Sequence, residues 1–302
     1  MDPSFDPAPG VPQTLAPGLR RILAPNPSPM TFRGTNTYLL GETDLAVIDP
    51  GPDLPAHLHA ILAAVEPGQR ITHILVTHAH LDHSPLARPL ARATGAPVLA
   101  YGDATAGRSA PMQALARSGA SQGGEGVDRG FIPDRTLSDG QQIAGSGWQL
   151  TAIWTPGHFG NHLCFAWGAQ VFSGDLVMGW ASSLVSPPDG DLTDFMASCR
   201  RLRGIGPAVL HPGHGAPVAR APERIDWLIA HRKSRETAIL DALRAGPQDA
   251  RAIMQSVYTD TAATLRPAAT RNVLAHLIDL KTQNRVSHEG ALSAHTRFHL
   301  IP

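Results

Sequence analysis

The run Ile71-Thr72-His73-Ile74-Leu75-Val76-Thr77-His78-Ala79-His80-Leu81-Asp82-His83 constrains this chain more than any other segment. Its first half is apolar and β-rich, the composition of a buried strand. After Thr77 come four side chains that bind metals, His78, His80, Asp82 and His83, within six residues. Two residues apart in extended backbone, His78 and His80 point to the same side. The chain then turns, so Asp82 and His83 can point back toward the same region. Such groups at the end of a buried strand are costly to desolvate unless something coordinates them. The fold must therefore bring a strand end, a turn and further ligands together, and a metal site is the expected outcome.

Three later segments supply further ligand types beside glycine: Trp154-Thr155-Pro156-Gly157-His158, Ser173-Gly174-Asp175 and His211-Pro212-Gly213-His214-Gly215. Each puts a polar residue at a strand-to-loop exit, where α/β folds build their sites. Fifteen histidines against two lysines, Lys233 and Lys281, mark histidine as the chemistry of this chain. The two cysteines, Cys164 and Cys199, lack C-x-x-C spacing, which excludes a disulfide framework and thiolate zinc sites, and both read as buried small apolar residues. No apolar run reaches the roughly eighteen residues that cross a bilayer, and residues 1–34 lack a basic start followed by an apolar stretch. A cytoplasmic protein without membrane contact is expected.

At 302 residues, 42% hydrophobic and 17% charged, the chain has room for one large enzyme domain and a small appendage. Before residue 222, β-like runs at 45–49, 71–77, 149–154, 163–167 and 208–211 alternate with turns and helical patterns, an α/β arrangement. Beyond it, helical patterns at 223–245, 249–258 and 267–282 precede two short extended runs around Val286 and Phe298; three helices and a hairpin describe a winged helix. Residues 231–302 carry ten Lys/Arg against six Asp/Glu, leaving fifteen against nineteen before them. This excess permits nucleic-acid contact, and Arg266, Arg271, Lys281 and Arg285, along and after the third helix, would supply it if they share a face, which they nearly do if the helix persists as far as Arg285. Glycines 119, 123, 124, 126 and 130 leave residues 104–147 without a secure element, a mobile surface insertion or a lid.

The order H-x-H-x-D-H, then His, Asp and His resembles the metallo-β-lactamase superfamily. That resemblance implies a four-layer αββα sandwich over residues 18–222, after an N-terminal extension (1–17) and before the winged-helix domain (223–302). Position by position, it implies that His78, His80 and His158 hold one metal, that Asp82, His83 and His214 hold a second, and that Asp175 bridges them. Asp82 and Asp175 would take part in catalysis. The segments Gly34-Thr35-Asn36-Thr37-Tyr38-Leu39-Leu40, Ile48-Asp49-Pro50-Gly51, Pro187-Pro188-Asp189-Gly190-Asp191 and His231-Arg232 are similar to the lactamase-beta-2-like branch, whose members include an endoribonuclease. Where that branch has a glycine pair after the motif, this chain has Pro85-Leu86. Ser84 could cap a helix with Pro85 at its first position, and Pro89 would push the start later.

Other histidines read differently. His73 follows Leu75 into the core, His57 and His59 are solvated on a surface helix, and His211 gives way to His214, which the resemblance places directly before the second glycine. His162 can reach a substrate oxyanion or serve as a structural group. Asp49 orients a ligand histidine or the turn. The expected enzyme is a dinuclear zinc hydrolase using a bridging hydroxide, with iron or manganese also compatible with the ligand set. Its alternatives are a thioester or lactone hydrolase of the glyoxalase II kind and a mononuclear iron enzyme of the persulfide dioxygenase kind. The partner is a small molecule or single-stranded RNA, and the winged helix could instead mediate a homodimer.

Overall fold

A computed structural model describes residues 4–119, 126–290, 292 and 295–301. Seven strands form the first sheet in chain order: β1 (Gln13–Ala16), β2 (Leu19–Leu23), β3 (Asn36–Leu40), β4 (Asp44–Ile48), β5 (Arg70–Leu75), β6 (Val98–Ala100) and β7 (Arg135–Thr136). Pairing is antiparallel from β1 to β4 and parallel from β4 to β7. The parallel strands require crossovers. Helices α1 (Pro55–Ala63), α2 (Ala87–Thr94) and α3 (Ala110–Ser118) lie in these connections.

The second sheet has the order β12-β11-β10-β9-β8, an antiparallel meander of β8 (Gln142–Gly145), β9 (Trp148–Trp154), β10 (Leu163–Trp167) and β11 (Gln170–Gly174). Helix α4 (Leu192–Ile205) then returns β12 (Val209–Pro212) parallel to β11. Beyond it follow α5 (Ala221–Leu243), α6 (Ala250–Val257), a 3₁₀ turn (Ala263–Leu265), α7 (Arg266–Thr282) and the hairpin β13 (Val286–His288) and β14 (Phe298–Leu300).

Because both faces of the first sheet are covered, its central strands β3 and β4 are buried at almost every position. Leu39, Leu45 and Val47 pack outward with Ile61 of α1 and Leu90 of α2. Tyr38, Leu40, Ala46 and Ile48 pack inward against Trp148, Leu150, Phe165 and Phe172 of the second sheet. The far face of that sheet, with Ile153, Cys164, Val171 and Leu210, meets Phe195, Cys199 and Leu202 of α4 and Ile225 and Leu228 of α5. These are the four layers of an αββα sandwich. Both cysteines are free and buried, as expected.

Helix α5 links two cores. Its first half belongs to the sandwich, whereas Ile239 and Leu243 join Ile253, Val273, Leu277 and Phe298 in a separate C-terminal core. Strand β1 places part of the first 17 residues in the sheet.

Three local expectations are corrected. Residues 104–147 contain α3, capped by Ser109 at its start and Gly119 at its end, with Met112 and Leu115 packed into the C-terminal core; Gly123 and Gly124 lie outside the described residues. Ser84 does not cap α2. Its hydroxyl bonds Asp128 Oδ2 at 2.7 Å, and α2 begins at Ala87, so Pro89 occupies the first turn, where its missing N–H costs nothing. Finally, α7 ends at Thr282 and Asn284 turns the chain at φ 56°, so Arg285 is not on the helix that carries Arg271.

Removing residues 223–302 should expose the apolar α4 surface that Ile225 and Leu228 cover. The fragment is expected to aggregate and to lose its cooperative melt, read by size-exclusion chromatography and calorimetry. A monomeric fragment with a sharp melt would contradict this packing.

Candidate metal centre

Strand β5 ends at Leu75, and the chain then carries His78, His80, Asp82 and His83 along the sandwich edge. The backbone at 79–81 is braced by 126–128: Leu81 N–H donates to Gly126 O at 2.7 Å and Asp128 N–H to Ala79 O at 2.9 Å. Asn161 supports the same stretch, accepting from Ala79 N–H at 3.3 Å while its amide donates to Gly102 O and Asp103 O. His158 follows β9, Asp175 follows β11 and His214 follows β12.

All seven residues converge. His80 Nδ1 lies 2.8 Å from His78 Nε2 and 3.2 Å from His158 Nε2. Beside this trio, His83 Nε2 and His214 Nε2 face each other at 3.3 Å, with Asp82 Oδ2 at 3.5 and 3.1 Å from them. Asp175 stands between the groups, Oδ2 being 3.7 Å from His158 and 3.4 Å from His214, and Oδ1 3.7 Å from His83. Three triplets, His78/His80/His158, His78/His83/Asp175 and Asp82/His83/His214, each bring ligand atoms close enough to hold an ion.

The outward nitrogens explain this inward display. His158 Nδ1–H donates to Leu184 O at 2.7 Å, His214 Nδ1–H to Gly34 O at 3.1 Å and His83 Nδ1–H to Asp49 Oδ2 at 2.9 Å. His78 Nδ1–H donates to Thr77 Oγ1 at 2.9 Å, whose hydroxyl donates to Asp49 Oδ2 at 2.8 Å. With Nδ1 engaged in each of these four, it is Nε2 that faces the cluster. Asp49 thus supports one histidine of each group.

Burial, followed by neighbouring imidazoles, pushes His78 well below 6.5, and burial takes His80 down to about 3. Burial also lowers His158. These three are neutral donors. In the other group burial pulls the imidazoles down too, but the carboxylates outweigh it: Asp82, Asp49 and Asp175 hold His83 well above 6.5, and Asp175 and Asp82 raise His214 to about 10. Burial disfavours the ionised forms of Asp82 and Asp175, yet His83 and His214 keep both well below the usual carboxylate range.

The residues fit a metal. Asp175 Oδ1 is buried with no hydrogen-bond partner, and the Nε2 atoms of His78 and His158, whose Nδ1 atoms are already engaged, both converge on His80 Nδ1. Close approach is built in by glycine: a Cβ on Gly213 would lie 2.5 Å from Asp175 Oδ1 and 2.6 Å from His83 Cε1.

The remaining histidines find their places. His162 is buried; its Nε2 accepts Asp175 N–H at 3.2 Å and its Nδ1–H donates to Thr155 Oγ1 at 2.9 Å, so it fixes the Asp175 backbone and has no nitrogen left for a substrate. His211 packs on Tyr38 and Phe172 and donates to Gln170 Oε1 at 2.7 Å, away from the cluster. His73 is only partly buried, short of the core position expected, and meets the buried Trp148 edge-on; His59 is exposed. His57 is not solvated as expected. It is 1% exposed and donates to Thr37 Oγ1 at 2.8 Å, which donates to Asp49 O at 2.7 Å, so this helix turns a polar residue inward to support the Asp49 turn. Asn36 and Tyr38 hold the His214 loop, donating to Pro212 O at 2.9 and 2.7 Å.

A cavity of about 490 Å³ opens above the cluster. Its floor includes His80, Asp82, His158, Asp175 and His214. Its walls come from both parts of the chain, Met30, Met178, Trp180 and Leu184 from the sandwich and Tyr258, Leu265, Ala268, Ala269 and Asn272 from the C-terminal unit.

Residues 30–214 match the family model of the metallo-beta-lactamase superfamily. The chain belongs to that superfamily. It is a metal-dependent hydrolase by that membership, and residues 250–294 match the beta-lactamase associated winged helix domain. It is 30% identical over 281 residues to the "Beta-lactamase-like protein 2 homolog" of Drosophila melanogaster, with 90% of each chain covered. It is likewise 30% identical over 273 residues to the "Atrochrysone carboxyl ACP thioesterase" of Aspergillus fumigatus, covering 88% of this chain and 77% of that one. The crystal structure of a metallo-beta-lactamase family protein from Thermus thermophilus superposes with a TM-score of 0.76 at 27% identity, covering 95% of this chain and all of that one. Among the described residues no helix is long and apolar enough to cross a membrane.

Two outcomes are expected. A metal must displace protons from His83 and His214, which their carboxylate neighbours hold protonated, whereas burial disfavours protonation of His78, His80 and His158, so acidification should empty the Asp82/His83/His214 group first. Equilibrium dialysis with elemental analysis should show two ions falling to one, and simultaneous loss of both would contradict the assignment. Asp49→Ala should weaken metal binding by about 10- to 100-fold, since Asp49 supports a histidine of each group; unchanged affinity in a competition titration would show that Asp49 orients neither.

Proposed function

We propose that this protein is a dinuclear zinc hydrolase of uncharged carboxylic acyl bonds, an ester, thioester or lactone, with an apolar acyl part. The observation that carries the reading is the cleft: no lysine or arginine lines it among the described residues, and beyond its floor the walls are largely apolar. The one acidic residue off the floor, Asp189, is bound by Arg108 at 2.6 Å. An RNA strand brings a negative charge with every nucleotide and calls for Lys and Arg along its path. Arg266, Lys281 and Arg285 are exposed but do not line this cleft. The relative named a thioesterase supports the same substrate class.

Imidazole and carboxylate donors without thiolate suit zinc, and seven of them exceed what one tetrahedral ion takes. When bound, the metal pair would act as Lewis acid toward the acyl oxygen and lower the pKa of the attacking water. His78, His80 and His158 would hold one ion and Asp82, His83 and His214 the other. Asp175, between the groups, would touch both and balance their charge. Asp82 and Asp175, both ionised, would orient the water.

Asp175→Asn should leave the melting temperature close to that of the parent while reducing turnover by about 10²-fold or more, because one negative charge between two dications is lost. A panel of a thioester, a lactone, a nitrophenyl phosphodiester and single-stranded RNA tests the substrate class on the zinc-loaded protein. Chelator-sensitive hydrolysis of the acyl compounds is expected, and cleavage of RNA alone would overturn the reading.

A further inference from the structure

The C-terminal unit does more than accompany the sandwich. Leu265, Ala268, Ala269 and Asn272 all line the cleft above the cluster. Their spacing of three, four and seven residues from Leu265 places them on one face of the turn leading into α7 and of the helix itself. The last of them is held in one orientation. Asn272 Oδ1 accepts Val185 N–H at 3.0 Å and an Arg232 nitrogen at 3.2 Å, and the second terminal nitrogen of the buried Arg232 donates to Ser183 O. Rotating the carboxamide would turn its NH₂ toward two donors, so Nδ2 stays on the other side, where it has no hydrogen bond among the described residues. Next to Val185, Ser186 lines the same cleft, and its Oγ is buried and also lacks a partner.

We infer that this face of α7 is the substrate-reading wall of the enzyme: Leu265, Ala268 and Ala269 receive the apolar acyl chain, and Asn272 Nδ2–H donates to an oxygen of the same substrate. The inference rests on the acyl-hydrolase reading above. It assigns the helix that a nucleic-acid-binding winged helix would lay in a groove to the interior of a catalytic cleft. Two alanines at 268 and 269 leave room for a chain, so a larger residue there shortens the substrate the cleft accepts. Removing the Leu265 side chain lengthens it.

The test uses the full-length, zinc-loaded chain and N-acetylcysteamine thioesters from acetyl to decanoyl, with decanoate binding followed by calorimetry. Ala268→Phe should lower the ratio of decanoyl to acetyl kcat/KM by about tenfold or more and weaken decanoate comparably, whereas Leu265→Ala should raise the ratio for the longest chains. Asn272→Asp still accepts from Val185 and Arg232 but has lost the donor, and should lower kcat/KM at every chain length. Ratios and decanoate affinities within about twofold of the parent in both Ala268→Phe and Leu265→Ala would overturn the inference. If the parent hydrolyses none of the thioesters yet binds decanoate, and Ala268→Phe weakens that binding, the wall stands and the reaction assignment falls. RNA cleavage unaffected by all three variants would overturn both.

Discussion

The carboxylate of Asp49, 2% exposed at the end of β4, is the contact on which the site depends. A buried charge of this kind is tolerated only when its oxygens are fully engaged. Here one oxygen accepts Thr77 N–H at 2.7 Å, and the other accepts both Thr77 Oγ1–H and His83 Nδ1–H. These bonds fix the exit of the neighbouring strand β5, where the metal-binding run begins, and set the tautomers of His83 and, through Thr77, of His78. Asp49 adopts φ 51°, a left-handed conformation that aspartate tolerates better than most residues. His57 and Thr37 hold its carbonyl from behind. The strain and the buried charge are sustained by a site that needs both.

A second constraint joins the two parts of the chain. Leu184 O, which orients His158, lies in the segment whose neighbours Ser183 and Val185 are bound by Arg232 of α5 and Asn272 of α7. The geometry of the first histidine group therefore depends on residues well beyond the last proposed ligand. Most of α7 from Val273 to Leu280 is buried, between the C-terminal core and the sandwich. A helix packed in this way has its first turns left for a small ligand in the cleft and little surface for a nucleic acid.

Much of this was legible in the sequence, for a physical reason. Metal ligands occur as dense polar clusters at strand ends, where nothing else accounts for their cost, so His78, His80, Asp82, His83, His158, Asp175 and His214 stood out and the structure brings them together. The three C-terminal helices were equally visible, because helix starts carry local signals: Pro222 and Pro267 in the first turns of α5 and α7, and Asp249 capping α6. What escaped was non-local. His57 looks solvated until Thr37 is seen twenty residues away. Helix α3 carried its own signals, Ser109 before it, Met112 and Leu115 three apart and Gly119 after it, but the glycines that follow obscured them. His162 could be assigned only once both nitrogens had partners. Asn161 and Asn272 carry no local mark of their roles, since each acts on backbone far along the chain.

The central claim is that two sets of donors organised around Asp49 hold two ions with Asp175 between them. Anomalous diffraction at the zinc edge, on crystals of the metal-saturated protein, tests it most directly. Two peaks about 3.5 to 4 Å apart are predicted, one against His78, His80 and His158, the other against Asp82, His83 and His214, with Asp175 reaching both. A single peak, or ions held by other residues, would contradict it.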